Sequence, residues 1–208
     1  MKKCLQYGCG FSAPMEWINY DASPTLKFEK IPVLGKLYTR NIQRFPPNVK
    51  FGNILSGLPE IQNSFDCIYC SHILEHLSYS DFKIAVRNTY LLLKPDGIFR
   101  CIVPDLKIAA FNYLESYDEL PDPAHQFLKS TMLGSETRPN NLIGMLKNTF
   151  GNSKHLWMWD EKTLAMELKE AGFKNIRNCH FNDSEDPHFS LVEEEGRFYN
   201  AVAIECRK

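Results

Sequence analysis

Residues 64–105 read SFDCIYCSHILEHLSYSDFKIAVRNTYLLLKPDGIFRCIVPD. Phe65 to Cys70 is a short apolar run, the pattern of a strand buried on both faces of a parallel sheet. Ser71, His72, Glu75 and His76 crowd polar groups at its C-terminal end. From Asp81 to Leu93 the residues Phe82, Ala85, Val86, Tyr90 and Leu93 recur at helical spacing. Lys94-Pro95-Asp96-Gly97 ends that helix, because Pro95 cannot continue it and Asp-Gly supplies a turn with a positive φ. Ile98 to Val103 is a second buried strand, closed by Pro104-Asp105. The stretch is thus a βαβ unit, whose crossover is right-handed as a rule. Ligands of such sheets lie beyond the carboxyl ends of the strands. Ser71-His72 and Pro104-Asp105 stand there.

Towards the N-terminus, Cys4 to Tyr7 is a strand followed at once by Gly8-Cys9-Gly10, and Trp17 to Tyr20 is a strand ending at Asp21. Only six residues separate Gly10 from Trp17, whereas a parallel crossover usually takes about a dozen or more, so the first crossover helix must be missing or cut to one turn. Residues 24–48 read as loop with some helix, and Val49 to Leu55 as a third strand. Towards the C-terminus, an amphipathic helix runs from Lys107 to about Tyr117. Residues 121–153 look like an insertion with helical pieces around 125–133 and 141–149. Asp160 caps a helix over 161–170 that Ala171-Gly172 ends. Asn175 to Phe181 and Ala201 to Cys206 are the last strands, separated by an acidic, loop-like segment. Alternating strands and helices predict a doubly wound α/β sheet in one domain over residues 1–208.

Of the 208 residues, 44% are hydrophobic and 24% charged, the balance of a globular protein with a real core. A net charge of −1 gives no electrostatic case for nucleic acid, and no apolar run approaches a membrane span or a signal peptide. The seven cysteines are odd in number and mostly sit in apolar strands, as reduced thiols of a cytoplasmic protein would. Cys67 and Cys70 have zinc or redox spacing, but in a strand they point to opposite faces, and no second pair completes a metal site.

Gly8-x-Gly10 after a first strand lets backbone approach a ligand, though alone it is a weak signal and the third glycine of a dinucleotide fingerprint is replaced by Ala13. Asp21, at the end of the second strand, stands where a carboxylate holds ribose hydroxyls; it is also an ordinary turn residue. Together they favour a nucleoside-type ligand. His72-x-x-Glu75-His76 matches a zinc-protease pattern that needs a helix, yet straddles a strand end, so it reads as loop capping and no metal is assigned. His155-Leu-Trp157-Met-Trp159-Asp160 could line a pocket, or its tryptophans could be core.

With these residues placed, the chain resembles a class I S-adenosylmethionine-dependent methyltransferase, closest to the small methyltransferase-11-like group often associated with bacterial surface-polysaccharide genes. LQYGCG, WINYDASP, FDCIYCSHILEHLS…LLLKPDGIFRCIVPDL and HLWMWDEKTLAMELKEAGF carry the resemblance, in order, across residues 5–173. It implies a Rossmann-like seven-stranded sheet with an antiparallel last strand, here with a shortened first crossover and a helical insertion. Gly8, Cys9 and Gly10 would pass the methionine part of the cofactor, Asp21 would bind its ribose, Asn53 with Ile54 would meet adenine, and Ser71 and His72 would line the methyl-transfer side. Asn53 replaces the acid often found at its position.

The reaction implied is methyl transfer from S-adenosylmethionine to an oxygen or nitrogen of a small molecule, such as a sugar or glycan precursor. Its base, if a hydroxyl is the acceptor, would be His155, Asp105 or His72. The 121–153 insertion would cap the substrate; oligomeric state is open. The rivals are a cofactor-binding protein without turnover, a nicotinamide oxidoreductase, and a zinc hydrolase using His72, Glu75 and His76.

Overall fold

The apolar runs that predict strands lie side by side in a single sheet. In the computed structural model, which describes residues 2–32, 43–135 and 154–208, these are β1 (Cys4–Tyr7), β2 (Trp17–Asp21), β3 (Val49–Phe51), β4 (Phe65–Ser71), β5 (Leu93–Pro104), β6 (Lys174–Asn178) and β7 (Ala201–Arg207). Their order is β3-β2-β1-β4-β5-β7-β6, and β7 alone runs against the rest. The chain therefore starts in the middle of the sheet, builds one half outward to β3, and returns to build the other. The switch lies between β1 and β4, where their C-terminal loops diverge and leave a crevice.

Among the described residues five α-helices accompany the sheet: α1 (Pro24–Glu29), α2 (Tyr79–Leu92), α3 (Leu106–Glu115), α4 (Pro123–Ser130) and α5 (Glu161–Glu170). The Ser78 hydroxyl accepts from the Asp81 backbone N–H and starts α2, whose Phe82, Ala85, Val86, Thr89 and Leu92 are buried on one stripe. Fully burying a side chain such as Phe82 or Val86 contributes about 1.5–3 kcal/mol. Asp160 caps α5 by accepting from Thr163 N–H at 2.7 Å. Helices α2 and α5 cover one sheet face, with Phe82 against Trp159 and Phe99 against Phe173.

No helix separates β1 from β2, as the six-residue gap requires. The opposite sheet face, lined by Cys4, Trp17, Cys67, Tyr69, Ile98 and Ile102, is covered instead by the acidic segment before β7. There Phe189 packs edge-on against Trp17 and Tyr69, and the Trp17 indole donates to the His188 carbonyl at 3.1 Å. That segment, expected as a loop, forms 3-10 turns over Pro187–Leu191 and Glu195–Phe198.

Three expected boundaries shift. β3 stops at Phe51 because Asn53 caps a 3-10 turn over Ile54–Ser56. β6 stops at Asn178. β5 begins at Leu93, with the positive φ of the Lys94–Gly97 segment on Asp96 at 62°. All seven cysteines are buried and unpaired, and Cys67 and Cys70 face opposite sides of the sheet. Of the expected insertion, α4 lies among the described residues, while 136–153, including the helical piece around 141–149, lies outside them. Among the described residues no helix is long and apolar enough to cross a membrane.

Candidate active site

The loop after β1 turns back across the strand ends with Gly8 at φ 70° and Gly10 at φ 55°, conformations that disfavour any residue with a Cβ. Asp21, at the end of β2, holds that loop. Its Oδ2 accepts from Gly10 N–H at 2.9 Å and its Oδ1 from Ser23 N–H at 2.7 Å. A carboxylate offers about four acceptor directions, so two remain for a ligand. Cys9 contributes backbone only. Its side chain is buried with Leu26 and Val49, where burial pushes the thiol up to about 12.

A cavity of about 290 Å³ opens beside this loop, lined among others by Gly8, Asp21, Asn53, Ile54, His76 and Leu156. The Asn53 side-chain oxygen accepts from Leu55 N–H at 2.9 Å, which leaves its amide NH2 as the donor; the buried Ile54 adds an apolar wall. Asp21, Asn53 and Ile54, far apart along the chain, thus share one cavity. A Cβ on Gly10 would meet nothing within 4 Å, whereas one on Gly8 would lie 2.2 Å from Ile73 Cδ1. Ile73 is thus seated over Gly8.

Ser71 is buried in a small recess beside Gly8, together with Tyr69 and Arg197. His72 follows in the left-handed region at φ 54°, a conformation that costs about 1 kcal/mol or more. It is held there by its backbone N–H on the Ile102 carbonyl and by its Nε2 on the Arg197 carbonyl, both at 2.9 Å. Glu75 is fully buried, and neither carboxylate oxygen has a hydrogen-bond partner. Its Oε1 stands 3.5 Å from His72 Nδ1, 4.0 Å from His76 Nε2 and 4.0 Å from His155 Nε2. Burial opposes charge on His72, but Glu75 and the Arg197 carbonyl outweigh it and raise its pKa. On His155 burial wins over the pull of Glu75, and its pKa is lowered.

The structure therefore gathers His72 and His155 but not Asp105. The Asp105 carboxylate is the N-cap of α3, accepting from Lys107 N–H at 2.7 Å, and its backbone bridges to Trp159 and Asn200. Trp159 is core, and the half-exposed Trp157 stacks on Tyr79 at 4.9 Å. Sequence reasoning missed Ile73, Leu156 and Arg197 at the site. Ile73 and Leu156 adjoin residues that were singled out, while Arg197 has no local signal. A larger groove, about 430 Å³, lies between α2 and α5 on the flank of the sheet, away from the strand ends.

A family model described as "Methyltransferase domain" matches residues 3–178. The chain belongs to that family. As a methyltransferase of this family it uses S-adenosylmethionine as methyl donor, and the glycine cradle, the Asp21 carboxylate and the adjoining cavity fit that molecule. Solved structures carry the same fold at low identity. One is a SAM-dependent methyltransferase from Archaeoglobus fulgidus, with TM-score 0.54 and 15% identity, covering 100% of this chain and 86% of that one. A second, from Thermotoga maritima and described as a possible histamine N-methyltransferase, has TM-score 0.53 and 14% identity, covering 100% and 83%. PigF with SAH has TM-score 0.50 and 15% identity, covering 100% and 56%. No curated protein matches the chain.

Proposed function

We propose that this methyltransferase acts on an oxygen or nitrogen of a small molecule in the cytoplasm, and that a sugar or polysaccharide precursor is the class to test first. The observation that carries the methyl-transfer reading is the cavity itself. At about 290 Å³ it lies between the glycine loop, Asp21 and the His76–Leu156 wall, bounded by side chains on several sides. The polysaccharide class rests on the sequence resemblance.

When bound, S-adenosylmethionine supplies an electrophilic methyl group. The chain's own residues do the rest. Gly8 and Gly10 let backbone lie close to the methionine part. Asp21 presents its free acceptor directions to the ribose, and Asn53 and Ile54 take the adenine. Positioning two reactants in line and excluding water are the main catalytic contributions available to such a pocket. For a hydroxyl acceptor, the imidazoles of His72 and His155 and the Asp105 carboxylate are the groups that could take the proton. His72 and His155 both stand beside Glu75, as does His76, which lines the cavity, whereas Asp105 already spends one oxygen on the α3 N-terminus.

Calorimetry with S-adenosylhomocysteine, then single-turnover methylation of activated-sugar acceptors, tests the reading. Absence of S-adenosylhomocysteine binding by the wild type would overturn it. Tight binding with no methyl transfer to oxygen or nitrogen acceptors would point instead to a cofactor-holding protein without turnover.

A further inference from the structure

The cluster around Glu75 is more than loop capping. The 3-10 turn over Leu74–His76 places Glu75 inward, and the Glu75 carbonyl accepts from the backbone N–H groups of Leu156 at 2.7 Å and Trp157 at 3.2 Å. Those two bonds bring His155 to the carboxylate. His76 gives its Nδ1 to the Lys154 carbonyl at 2.8 Å and turns Nε2 to Glu75, and His72 gives Nε2 to the Arg197 carbonyl and turns Nδ1 to Glu75. One nitrogen on a backbone carbonyl with the other aimed at a common point is how metal-binding imidazoles are oriented.

Electrostatics point the same way. A carboxylate cut off from water with neither oxygen hydrogen-bonded is costly unless a positive charge stands beside it. The three imidazoles surround Glu75 at 3.5–4.0 Å, too long for normal hydrogen bonds. Ligand atoms of Glu75, His76 and His155 all lie within 4.8 Å of one another. Around a tetrahedral zinc ion, with bonds of about 2.0–2.2 Å, ligands stand roughly 3.4 Å apart, so small side-chain rotations close the site.

We propose that Glu75, His76 and His155 form a three-ligand binding site for a divalent transition-metal ion at the wall of the cofactor cavity. Two imidazoles and one carboxylate suit zinc, iron(II), manganese or cobalt rather than calcium. The ion enters from the cavity, which His76 lines. One carboxylate leaves a divalent ion with a net positive charge, so the open coordination position takes an anionic or ionisable oxygen. If the methyltransferase reading holds, that oxygen is the acceptor hydroxyl. Its proton passes to solvent, its electron pair forms the new C–O bond, and the S–CH3 bond breaks with its pair returning to sulfur. Metal binding itself does not depend on that reading.

Metal-free protein, prepared with EDTA and without any cofactor, is titrated with zinc against a chromophoric chelator and with cobalt(II) by visible absorption. The expected result is one equivalent of zinc per chain and cobalt bands without a thiolate charge-transfer band. Glu75→Gln should weaken zinc by about a hundredfold or more, since even an outer-shell change costs 10–100-fold. His155→Ala should weaken it comparably, and the exposed His125→Ala should leave it unchanged. Wild-type affinity no higher than that of Glu75→Gln, or a cobalt–thiolate band, overturns the site. Circular dichroism reports whether Glu75→Gln folds; if it does not, His155→Ala carries the same comparison. S-adenosylhomocysteine binding is measured separately, so loss of one result does not obscure the other.

Discussion

Replacing Asp21 should separate two jobs of one carboxylate. In the structure it accepts from Gly10 N–H at 2.9 Å and Ser23 N–H at 2.7 Å, and it lines the cavity beside the glycine loop. Hydrogen bonds to a charged group contribute about 1.5–3 kcal/mol each, so two bonds to ribose hydroxyls amount to ~3–6 kcal/mol. At about 1.4 kcal/mol per factor of ten, Asp21→Ala should weaken S-adenosylhomocysteine by roughly 10²–10⁴-fold. Asp21→Asn keeps one acceptor oxygen but no charge, and should fall between. The structural job reads out separately. Asp21→Ala leaves two backbone N–H groups without their acceptor, at about 1–3 kcal/mol each when shielded from water. Each kcal/mol is about 2–4 °C for a chain of this size, so the thermal midpoint without ligand should fall by roughly 4–24 °C. Calorimetry below that midpoint gives the binding half, and scanning calorimetry the folding half. Wild-type affinity in folded Asp21→Ala sinks the ribose assignment, and an unchanged midpoint sinks the loop-tie assignment.

The remaining predictions concern the cradle, the buried arginine and acid stability. Gly8→Ala should weaken S-adenosylhomocysteine binding strongly, because its Cβ would meet Ile73 Cδ1 at 2.2 Å and φ is 70°. Adding Ile73→Ala should recover part of the binding but not the backbone strain, so a double-mutant cycle by calorimetry that shows simple additivity argues against the contact. Arg100 is fully buried among Glu193, Glu205, Asp183 and the His180 carbonyl, so Arg100→Leu, which strands the buried Glu193, should cost about 3–5 kcal/mol by urea denaturation. Burial alone would raise the pKa of Asp183, but Arg177 and Arg100 hold it down at about 2. Asp186 is lowered in the same way by Lys2, Cys67 and His188. A pKa depressed on folding means stability present above the unfolded value near 3.8 and lost as pH falls toward 2, so urea midpoints should hold from pH 6 to 5 and drop steeply below pH 4.

The βαβ unit over 64–105 was legible because each level agrees. Apolar runs mark β4 and β5, one stripe marks α2, and Pro95-Asp96-Gly97 marks the turn. The absent first helix followed from counting residues between Gly10 and Trp17. The end of β3 was not legible, since Val49 to Leu55 looks uniformly strand-like until Asn53 bonds Leu55 N–H and starts a 3-10 turn. The capping role of Asp105 was not legible, because its bonds to Lys107 and Ile108 depend on where α3 begins. The gathering of imidazoles around Glu75 was not legible for a different reason: His72-x-x-Glu75-His76 sits at a strand end, and the third imidazole, on His155, arrives through backbone bonds that local spacing does not encode.

The acidic segment before β7 joins these observations. With no helix between β1 and β2, one face of the sheet would leave Trp17, Tyr69 and Ile102 exposed, and Phe189 and Val192 cover them instead. A helix would satisfy its own carbonyls. A chain of 3-10 turns leaves some free, and one of these, on Arg197, grips His72 Nε2. That bond helps hold His72 at its positive φ and turns Nδ1 toward Glu75. The shortened crossover thus has its counterpart in this segment. The segment that fills the gap also orients an imidazole beside the buried carboxylate.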